Sequence, residues 1–326
     1  MKKEGIQISV AVTGPTWPLW RQVVNEVEEL GFAGLYVSDH FPSGQGTLEL
    51  TVALTYLAQQ TKRIHFSPLV APLSFRDARM LAWQAATLHE LSGGRMILGL
   101  GTGWHELEHQ TWGYALGSKA TRTTRFEEGL QVITSLLRSK EPVTFTGRFF
   151  QLQGAQLPQR PGSLPILIGG NGPQRLMPLV AQYADIWNAN AVSVVTFKER
   201  SALLDDLLRQ VGRQPGDVKR TLFLPVLSGR SEDEIKQRLG WLYKGLPQLA
   251  SLPLKEQLHQ IEQIFTPILT QAGAEYCPIV GTPDEAIEHI RLYADAGVEE
   301  LIIQWPDAND IEGLRLIAKE IIPHFN

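Results

Sequence analysis

The chain has 326 residues, of which 43% are hydrophobic and 20% are charged, and its 30 basic and 34 acidic side chains give a net charge of −4. This composition supports a large buried core, and it argues against a main function in nucleic-acid binding or in electrostatic attachment to a membrane. The single cysteine, Cys277, excludes an intramolecular disulfide, a cysteine-based zinc site and an iron–sulfur cluster.

Eight short β-rich runs alternate with helical patterns along the chain. The runs span residues 6–12, 35–38, 64–70, 96–101, 165–170, 185–188, 220–227 and 300–305. Strands that alternate with helices are typical of parallel α/β folds, and eight of them predict a (β/α)8 TIM barrel, with a doubly wound open sheet as the alternative. We interpret residues 1–326 as a single domain whose functional groups lie at the C-terminal ends of the strands.

Residue types at the helix ends indicate where helices begin and stop. Gly31 ends the first helix, whose apolar residues recur at helical spacing. Ser74 and Asp77 resemble a capping box before a later helix, and Thr282 marks the start of another. Asn309 is expected to open the last helix.

Two segments interrupt the alternation. Residues 139–162 contain VTFTGRFF, which predicts a β-hairpin around Thr146 and Gly147, inserted after strand 4. Residues 228–281 predict one or two extra helices before strand 8. No apolar run approaches the roughly 20 residues that a membrane helix needs, so we expect a cytoplasmic protein.

The segment PILIGGNGPQRL joins a buried strand to a helix through a glycine-rich turn. The turn consists of Gly169, Gly170, Asn171 and Gly172, and Pro173 is expected to open the helix. Exposed N–H groups and the helix dipole favour an anion at such a turn, most naturally a phosphate. An ordinary tight turn between strand and helix is the alternative.

The segment LGLGTGWHELEH carries a second glycine-rich loop, Gly101-Thr102-Gly103, after strand 4. It lacks the GxxxxGK[ST] pattern of a nucleotide-binding P-loop. His105 and His109 have the spacing of two zinc ligands on one helix face, but no third ligand is evident and we predict no metal site.

The segment VSDHF places Asp39 and His40 directly after strand 2. A histidine beside a carboxylate can be held in one tautomer and can act as an acid or a base. We therefore treat the pair as candidate catalytic residues, and a structural hydrogen bond at the barrel rim is the alternative.

Together these segments resemble the bacterial luciferase-like monooxygenase superfamily, and within it the branch that uses the deazaflavin coenzyme F420. The resemblance rests on SDHF, SGGRMILGLGTGWHELEHQTWG, RFEEGLQVI, TGRFFQL and PILIGGNGPQRLMPLVAQYADIWN, and it returns at GVEELIIQ near the end of the chain. It implies a (β/α)8 barrel that binds FMN or the deazaflavin at its C-terminal rim.

The resemblance also implies roles for individual residues. His40, next to Asp39, would lie beside the reactive face of the cofactor ring. Glu108 and His109 match a Glu-His pair of this branch, to which we assign no role. Trp104 stands where some relatives carry a carboxylate. The residues implied in cofactor binding are Pro68, Leu69, Gly101, Thr102, Gly103, Gly169, Gly170, Asn171 and Gly172.

A proline near the end of strand 3 predicts an interruption or bulge there, because proline cannot donate to a β-ladder. The resemblance places a non-prolyl cis peptide at this point, which we map to the bond between Pro68 and Leu69. A cis bond between Ser67 and Pro68, or a regular strand with trans bonds throughout, are the alternatives.

The function implied is hydride transfer between coenzyme F420 and a small organic substrate, with His40 handling the coupled proton. The alternatives are a reduced-FMN-dependent monooxygenase, a non-catalytic flavin-binding barrel and a metal-dependent hydrolase. Arg122, Arg125, Arg160 and Arg175 suit the phosphate of either cofactor. We expect a small-molecule substrate, no nucleic-acid or membrane partner, and a possible homodimer.

Overall fold

The computed structural model describes residues 5–12, 14–42, 48–158, 164–240, 247–305 and 307–325. The strands are β1 (Gln7–Val12), β2 (Gly34–Val37), β3 (His65–Pro68), β4 (Ala71–Pro72), β5 (Leu98–Gly101), β6 (Val143–Thr146), β7 (Gln151–Ala155), β8 (Ile166–Gly169), β9 (Ile186–Asn190), β10 (Lys219–Ser228), β11 (Ile279–Gly281) and β12 (Glu300–Trp305). The helices are α1 (Trp17–Glu29), α2 (Leu50–Gln60), α3 (Ala78–Leu91), α4 (Glu106–Thr111), α5 (Lys119–Arg138), α6 (Leu176–Tyr183), α7 (Val194–Gln210), α8 (Glu232–Leu239), α9 (Leu254–Ala272), α10 (Pro283–Asp295) and α11 (Ile311–Glu320).

The main sheet is a barrel of parallel strands, as the sequence predicted. Its order is β3-β2-β1-β12-β10-β9-β8-β5-β4. The two ends of this order, β3 and β4, are consecutive halves of one strand that is interrupted at Leu69 and Val70, so the sheet returns on itself. An isolated bridge between Phe66 and Met96 also links the β3 side to the start of the β5 segment. The prediction of a (β/α)8 barrel is therefore confirmed.

The two predicted insertions are present in the described residues. Strands β6 and β7 form an antiparallel hairpin, and the Gly147 N–H donates to Phe150 O across its turn (2.9 Å). Helices α8 and α9 occupy the second insertion, which also contains a short strand, β11, parallel to β10, that the sequence did not predict. Residues 159–162 of the first insertion and 241–246 of the second lie outside the described residues. No helix of the described part of the chain is long and apolar enough to cross a membrane.

Helix caps follow the predicted signals in part. Thr282 marks the start of α10, as predicted, and forms a capping box there with Glu285. At α3 the cap is Asp77 alone, because Ser74 Oγ is hydrogen-bonded to His109 Nε2 instead (2.7 Å). The last helix, α11, is capped by Asp310 rather than by the predicted Asn309, since the Asp310 carboxylate accepts the N–H of the helix's third residue.

The barrel strands bury both of their faces, because helices cover the outside and side chains fill the inside. Ile8, Val10 and Val12 of β1 pack outward in the core shared with the helices. Ala11 faces the interior, in a smaller apolar cluster. The other members of that cluster are Tyr36, Ile97, Leu167, Ile186 and Ile302, with Leu69, Val70 and Phe223 packed against them.

The N-terminal end of the barrel holds a buried ionic cluster around Glu300, whose side chain has no exposed surface. The Glu300 carboxylate is hydrogen-bonded to Ser9 Oγ (2.6 Å), Tyr36 Oη (2.9 Å), His65 Nε2 (2.8 Å) and Lys219 Nζ (2.7 Å). Burial raises the pKa of Glu300, but His65 and Lys219 outweigh it and hold the pKa well below its ordinary value. The cluster ties together five strands, β1, β2, β3, β10 and β12, at the end of the barrel opposite the candidate site.

Candidate active site

His40 lies just beyond the C-terminal end of β2, where a buried carboxylate holds its imidazole. Its Nδ1 lies 2.9 Å from Oε2 of Glu108, whose side chain is 1% exposed. The other oxygen of Glu108 accepts the backbone N–H of Phe41. Because an ionised carboxylate only accepts, this geometry puts the imidazole hydrogen on Nδ1 and a lone pair on Nε2. Nε2 has no hydrogen-bond partner among the described residues and is free to exchange a proton.

The predicted pairing of Asp39 with His40 is wrong. Asp39 instead accepts two hydrogen bonds from Arg76, from Nε to Oδ2 (2.9 Å) and from Nη2 to Oδ1 (2.7 Å). Arg76 also bonds Glu49 (2.6 Å). The physical reason is that the fold brings a different charged partner to each side chain, Arg76 to Asp39 and Glu108 to His40. Burial raises the pKa of Asp39, and Arg76 opposes that rise.

Aromatic side chains of the loop after β5 lie beside the imidazole of His40. The rings of Trp104 and His105 each lie 6.1 Å from the ring of His40, nearly edge-on for Trp104. Trp104 is 59% exposed, so a flat apolar surface is open to solvent beside the imidazole. The next residue, Phe41, stacks on Trp112 at 4.6 Å. The proton-handling group therefore stands among rings that can contact an apolar ligand.

The two histidines with zinc-ligand spacing have structural partners. His105 caps α4 by accepting the Glu108 N–H at Nδ1 (3.1 Å). His109 uses Nδ1 toward His105 O (2.8 Å) and Nε2 toward Ser74 Oγ (2.7 Å). Within the described ranges, no group of three or more His, Cys, Asp or Glu side chains is arranged to hold a metal ion. Both rings thus fix the short helix that delivers Glu108.

The interruption of strand 3 lies one residue later than predicted. The non-prolyl cis peptide joins Leu69 to Val70, not Pro68 to Leu69, and Ser67–Pro68 is trans. The Leu69 N–H still donates to Val37 O (2.8 Å), so the pairing with β2 continues through Pro68 and stops only after Leu69. The missing N–H of Pro68 therefore does not interrupt this side of the strand.

Glycines make room for the residue that follows the interruption. The side chain of Val70 lies against both Gly101 of β5 and Gly169 of β8. A Cβ at Gly101 would collide with Val70 Cγ2, and one at Gly169 would lie 3.0 Å from Val70 Cγ1. Gly103 has φ +78°, and a Cβ there would collide with Ser74 Oγ. The loop of Gly101, Thr102 and Gly103 therefore packs tightly along the rim.

The turn after β8 lies at the same rim and is held in place by hydrogen bonds of Gly170 and Asn171. Gly170, with φ +129°, donates its N–H to Asn188 O (3.0 Å) and accepts from Trp187 Nε1 (2.8 Å). The amide of Asn171 bonds the backbone of Asn190 (2.7 and 2.9 Å) and also Gly273 O (2.9 Å). These contacts hold the turn, so Gly170 and the Asn171 side chain have no donor left for a ligand.

The remaining N–H groups of this turn fit the predicted anion site. Those of Asn171, Gly172, Gln174 and Arg175 have no partner among the described residues. Helix α6 begins at Leu176 rather than at Pro173, because the intervening residues form a turn in which Gly172 O accepts the first helical N–H groups. Four unpaired donors before a helix N-terminus can bind a phosphate.

Comparison with known proteins identifies the family. The model for luciferase-like monooxygenases matches residues 7–300. This chain belongs to the luciferase-like monooxygenase family. Among curated members it is 27% identical to a 5,10-methylenetetrahydromethanopterin reductase of Archaeoglobus fulgidus, with 92% of this chain and 93% of the relative covered. It is also 27% identical to an F420-dependent glucose-6-phosphate dehydrogenase of Microbacterium testaceum, with 91% and 90% covered.

A solved structure agrees with the luciferase-like fold. An F420-dependent secondary alcohol dehydrogenase, in complex with an F420–acetone adduct, superposes with a TM-score of 0.78 at 21% identity, covering 99% of each chain. At this identity the similarity shows the fold alone.

Within this luciferase-like barrel, sequence reasoning did not assign roles to Glu108, Arg76 or Val70. The sequence did contain a signal for Glu108. It lies on the short helix directly after the glycine loop, and residues of a loop that follows a barrel strand lie at the rim.

Proposed function

We propose that this luciferase-like protein is an oxidoreductase that transfers a hydride between coenzyme F420 and a small organic substrate. The observation that carries the proposal is His40, which stands at the barrel rim with Nδ1 held by buried Glu108 and with Nε2 free. Two curated relatives with over 90% of the chain aligned, a methylenetetrahydromethanopterin reductase and an F420-dependent dehydrogenase, support this choice of reaction and cofactor.

The residues at the rim fit a phosphate-bearing flavin or deazaflavin. The four unpaired N–H groups of the turn from Asn171 to Arg175 would hold its phosphate. Leu69 and Val70, which interrupt strand 3, would support the ring from behind, and the glycine loop after β5 would pass beside the side chain of the cofactor.

The chain's own residues would handle the proton that accompanies the hydride. The bound deazaflavin supplies a ring carbon that accepts or gives the hydride. When a hydride leaves a carbon that bears a hydroxyl, the hydroxyl must also lose its proton to form the carbonyl group, and Nε2 of His40 would take that proton. Glu108 keeps the hydrogen of the imidazole on Nδ1 and would stabilise the cation that forms. Trp104 would cover the reacting groups and exclude water.

A reduced-FMN-dependent monooxygenase is the second candidate, because the family is described as luciferase-like monooxygenases and the turn suits either phosphate. Titration of the purified protein with F420 and with FMN separates the two. We expect tighter binding of F420, with Kd at least about tenfold lower, or about 1.4 kcal/mol. Tighter binding of FMN would refute the assignment of the cofactor.

A non-catalytic barrel is tested by replacing the proton-handling group. We expect His40→Asn to lower turnover about 100-fold or more, within the range of acid–base residues, while Kd for the coenzyme changes little. His324→Asn, on an exposed histidine near the C-terminus, is the matched control. Turnover near that of the unchanged protein would leave His40 with a structural role only.

We also propose a homodimer formed through α2 and α3. Three large apolar side chains are about half exposed on these adjacent helices, namely Val52 (59%), Met80 (48%) and Trp83 (49%). Light scattering after gel filtration should give twice the chain mass of 36.3 kDa. The Trp83→Glu variant should shift it to the mass of one chain, and a monomer before substitution would refute the proposal.

A further inference from the structure

Two half-buried arginines beside the glycine loop have few hydrogen-bond partners among the described residues. Arg122 and Arg125 lie on the first turns of α5 and are half-buried. Arg122 Nη1 donates to Gly103 O (3.1 Å), and Arg125 Nη1 donates to Ser74 O and Ala115 O (3.2 Å each). Among the described residues, no carboxylate lies within ion-pair distance of either guanidinium, and Glu106 acts on Arg122 only at longer range.

The number of unused donors separates these arginines from structural ones. A guanidinium has five N–H donors. Arg95, a structural arginine, donates to five acceptors through Nε, Nη1 and Nη2. Arg122 makes one such bond, so most of its donors point away from the protein's acceptors. Half-buried cations without a carboxylate partner are suited to an anionic ligand.

The position of these side chains connects them to the anion-binding turn. Arg122 holds Gly103, in the loop that follows β5, and β5 pairs with β8, whose following loop is that turn. Neighbouring strands are about 4.8 Å apart, so the two loops lie side by side at the rim. Arg148, at the tip of the hairpin, shares the ring of Phe149 with Arg125, at 5.2 and 5.1 Å. We call Arg122, Arg125 and Arg148 the basic strip; Arg160 lies outside the described residues.

We propose that the basic strip binds the carboxylate-bearing tail that extends coenzyme F420 beyond its phosphate. This inference rests on the proposed function. The turn after β8 would hold the phosphate, and the basic strip is the adjacent positive surface that a tail leaving the phosphate would meet. Guanidinium groups bind carboxylates through paired, charge-assisted hydrogen bonds. FMN ends at its phosphate and would gain no binding energy from the basic strip, so the basic strip also selects the deazaflavin coenzyme over FMN.

The test compares two ligands on matched variants. The ligands are the full coenzyme and its phosphate-bearing form without the glutamate tail, and Kd is measured by the quenching of deazaflavin fluorescence. For the double variant Arg122→Gln/Arg125→Gln, we expect Kd for the full coenzyme to rise at least about tenfold, and Kd for the tail-free form by less than about threefold. Arg291→Gln, on the exposed side of α10, removes the same kind of charge far from the rim and should change neither value.

A charge-retaining variant controls for damage to the fold. Arg122→Lys/Arg125→Lys should lose less affinity for the full coenzyme than the glutamine variant, because ammonium groups still attract carboxylates although they cannot form the paired bonds of a guanidinium. Salt should weaken binding of the full coenzyme more steeply in the unchanged protein than in the glutamine variant. Equal affinity of the unchanged protein for both ligands, or equal losses for both ligands in the glutamine variant, would overturn the assignment of the basic strip. Failure of the unchanged protein to bind either ligand would instead refute the proposed function and the basic strip with it.

Discussion

Replacing Glu108 with Gln reverses the hydrogen bond to His40 while keeping the side-chain size. The oxygen that accepts the Phe41 N–H must remain an oxygen, because an amide NH2 there would face another donor and leave both unsatisfied, at a cost of about 1–3 kcal/mol. The amide nitrogen of the new residue therefore faces His40 Nδ1, which lies 2.9 Å from the carboxylate in the native protein. His40 must then accept at Nδ1, and its hydrogen moves to Nε2.

With its hydrogen on Nε2, His40 no longer has on that atom the lone pair that would accept the proton in the proposed reaction. Positioned acid–base groups contribute about 10²–10⁴-fold to rate, which is about 2.7–5.4 kcal/mol of barrier. We expect Glu108→Gln to lower turnover by a factor in this range. Kd for the coenzyme should change by less than about threefold, since the hydrogen bonds of the Glu108 carboxylate go to His40 and Phe41 and to neither cofactor-binding loop.

Two measurements test this reasoning. Nitrogen-15 NMR of the imidazole should show hydrogen on Nδ1 in the native protein and on Nε2 in the variant, without any need for a substrate. The matched control is Glu106→Gln, which changes an exposed carboxylate on the same helix and should alter neither tautomer nor turnover. An unchanged tautomer in Glu108→Gln, or full turnover with the tautomer reversed, would refute the proposed role of this pair.

Three other substitutions probe the fold and the rim. Arg76→Met leaves the buried Asp39 carboxylate unpaired, and urea unfolding should show a loss of about 3–5 kcal/mol at pH 7. Burial raises the pKa of Glu300, but its basic partners hold the pKa below its ordinary value, so its stabilisation is present above about pH 4.5 and is lost as pH falls below it. Glu300→Gln should therefore unfold more easily at pH 7, and its stability should depend less on acid than that of the native protein. Gly170→Ala forces a side chain into φ +129° and should raise Kd for the coenzyme about tenfold, whereas Gly216→Ala, in open space, should not.

Local patterns in the sequence were enough to predict the barrel and its main turns. Eight strands that alternate with helices favour a (β/α)8 barrel over a doubly wound open sheet, because each pattern specifies which face is buried and few architectures bury all of these faces. The turn from Gly169 to Gly172 and the helix start at Thr282 could also be predicted, because backbone conformation and capping depend on neighbours within a few residues.

The partners within the site were decided by tertiary structure alone. His40 is adjacent to Asp39 in sequence, yet its carboxylate partner, Glu108, is 68 residues away, and Asp39 pairs with Arg76, 37 residues away. The position of the break in strand 3 likewise depends on the pairing with β2. Val37 O of β2 accepts the Leu69 N–H, so the break falls after Leu69. Which charged groups pair depends on their distance in space, and the fold sets that distance when it brings the ends of the strands together at one rim.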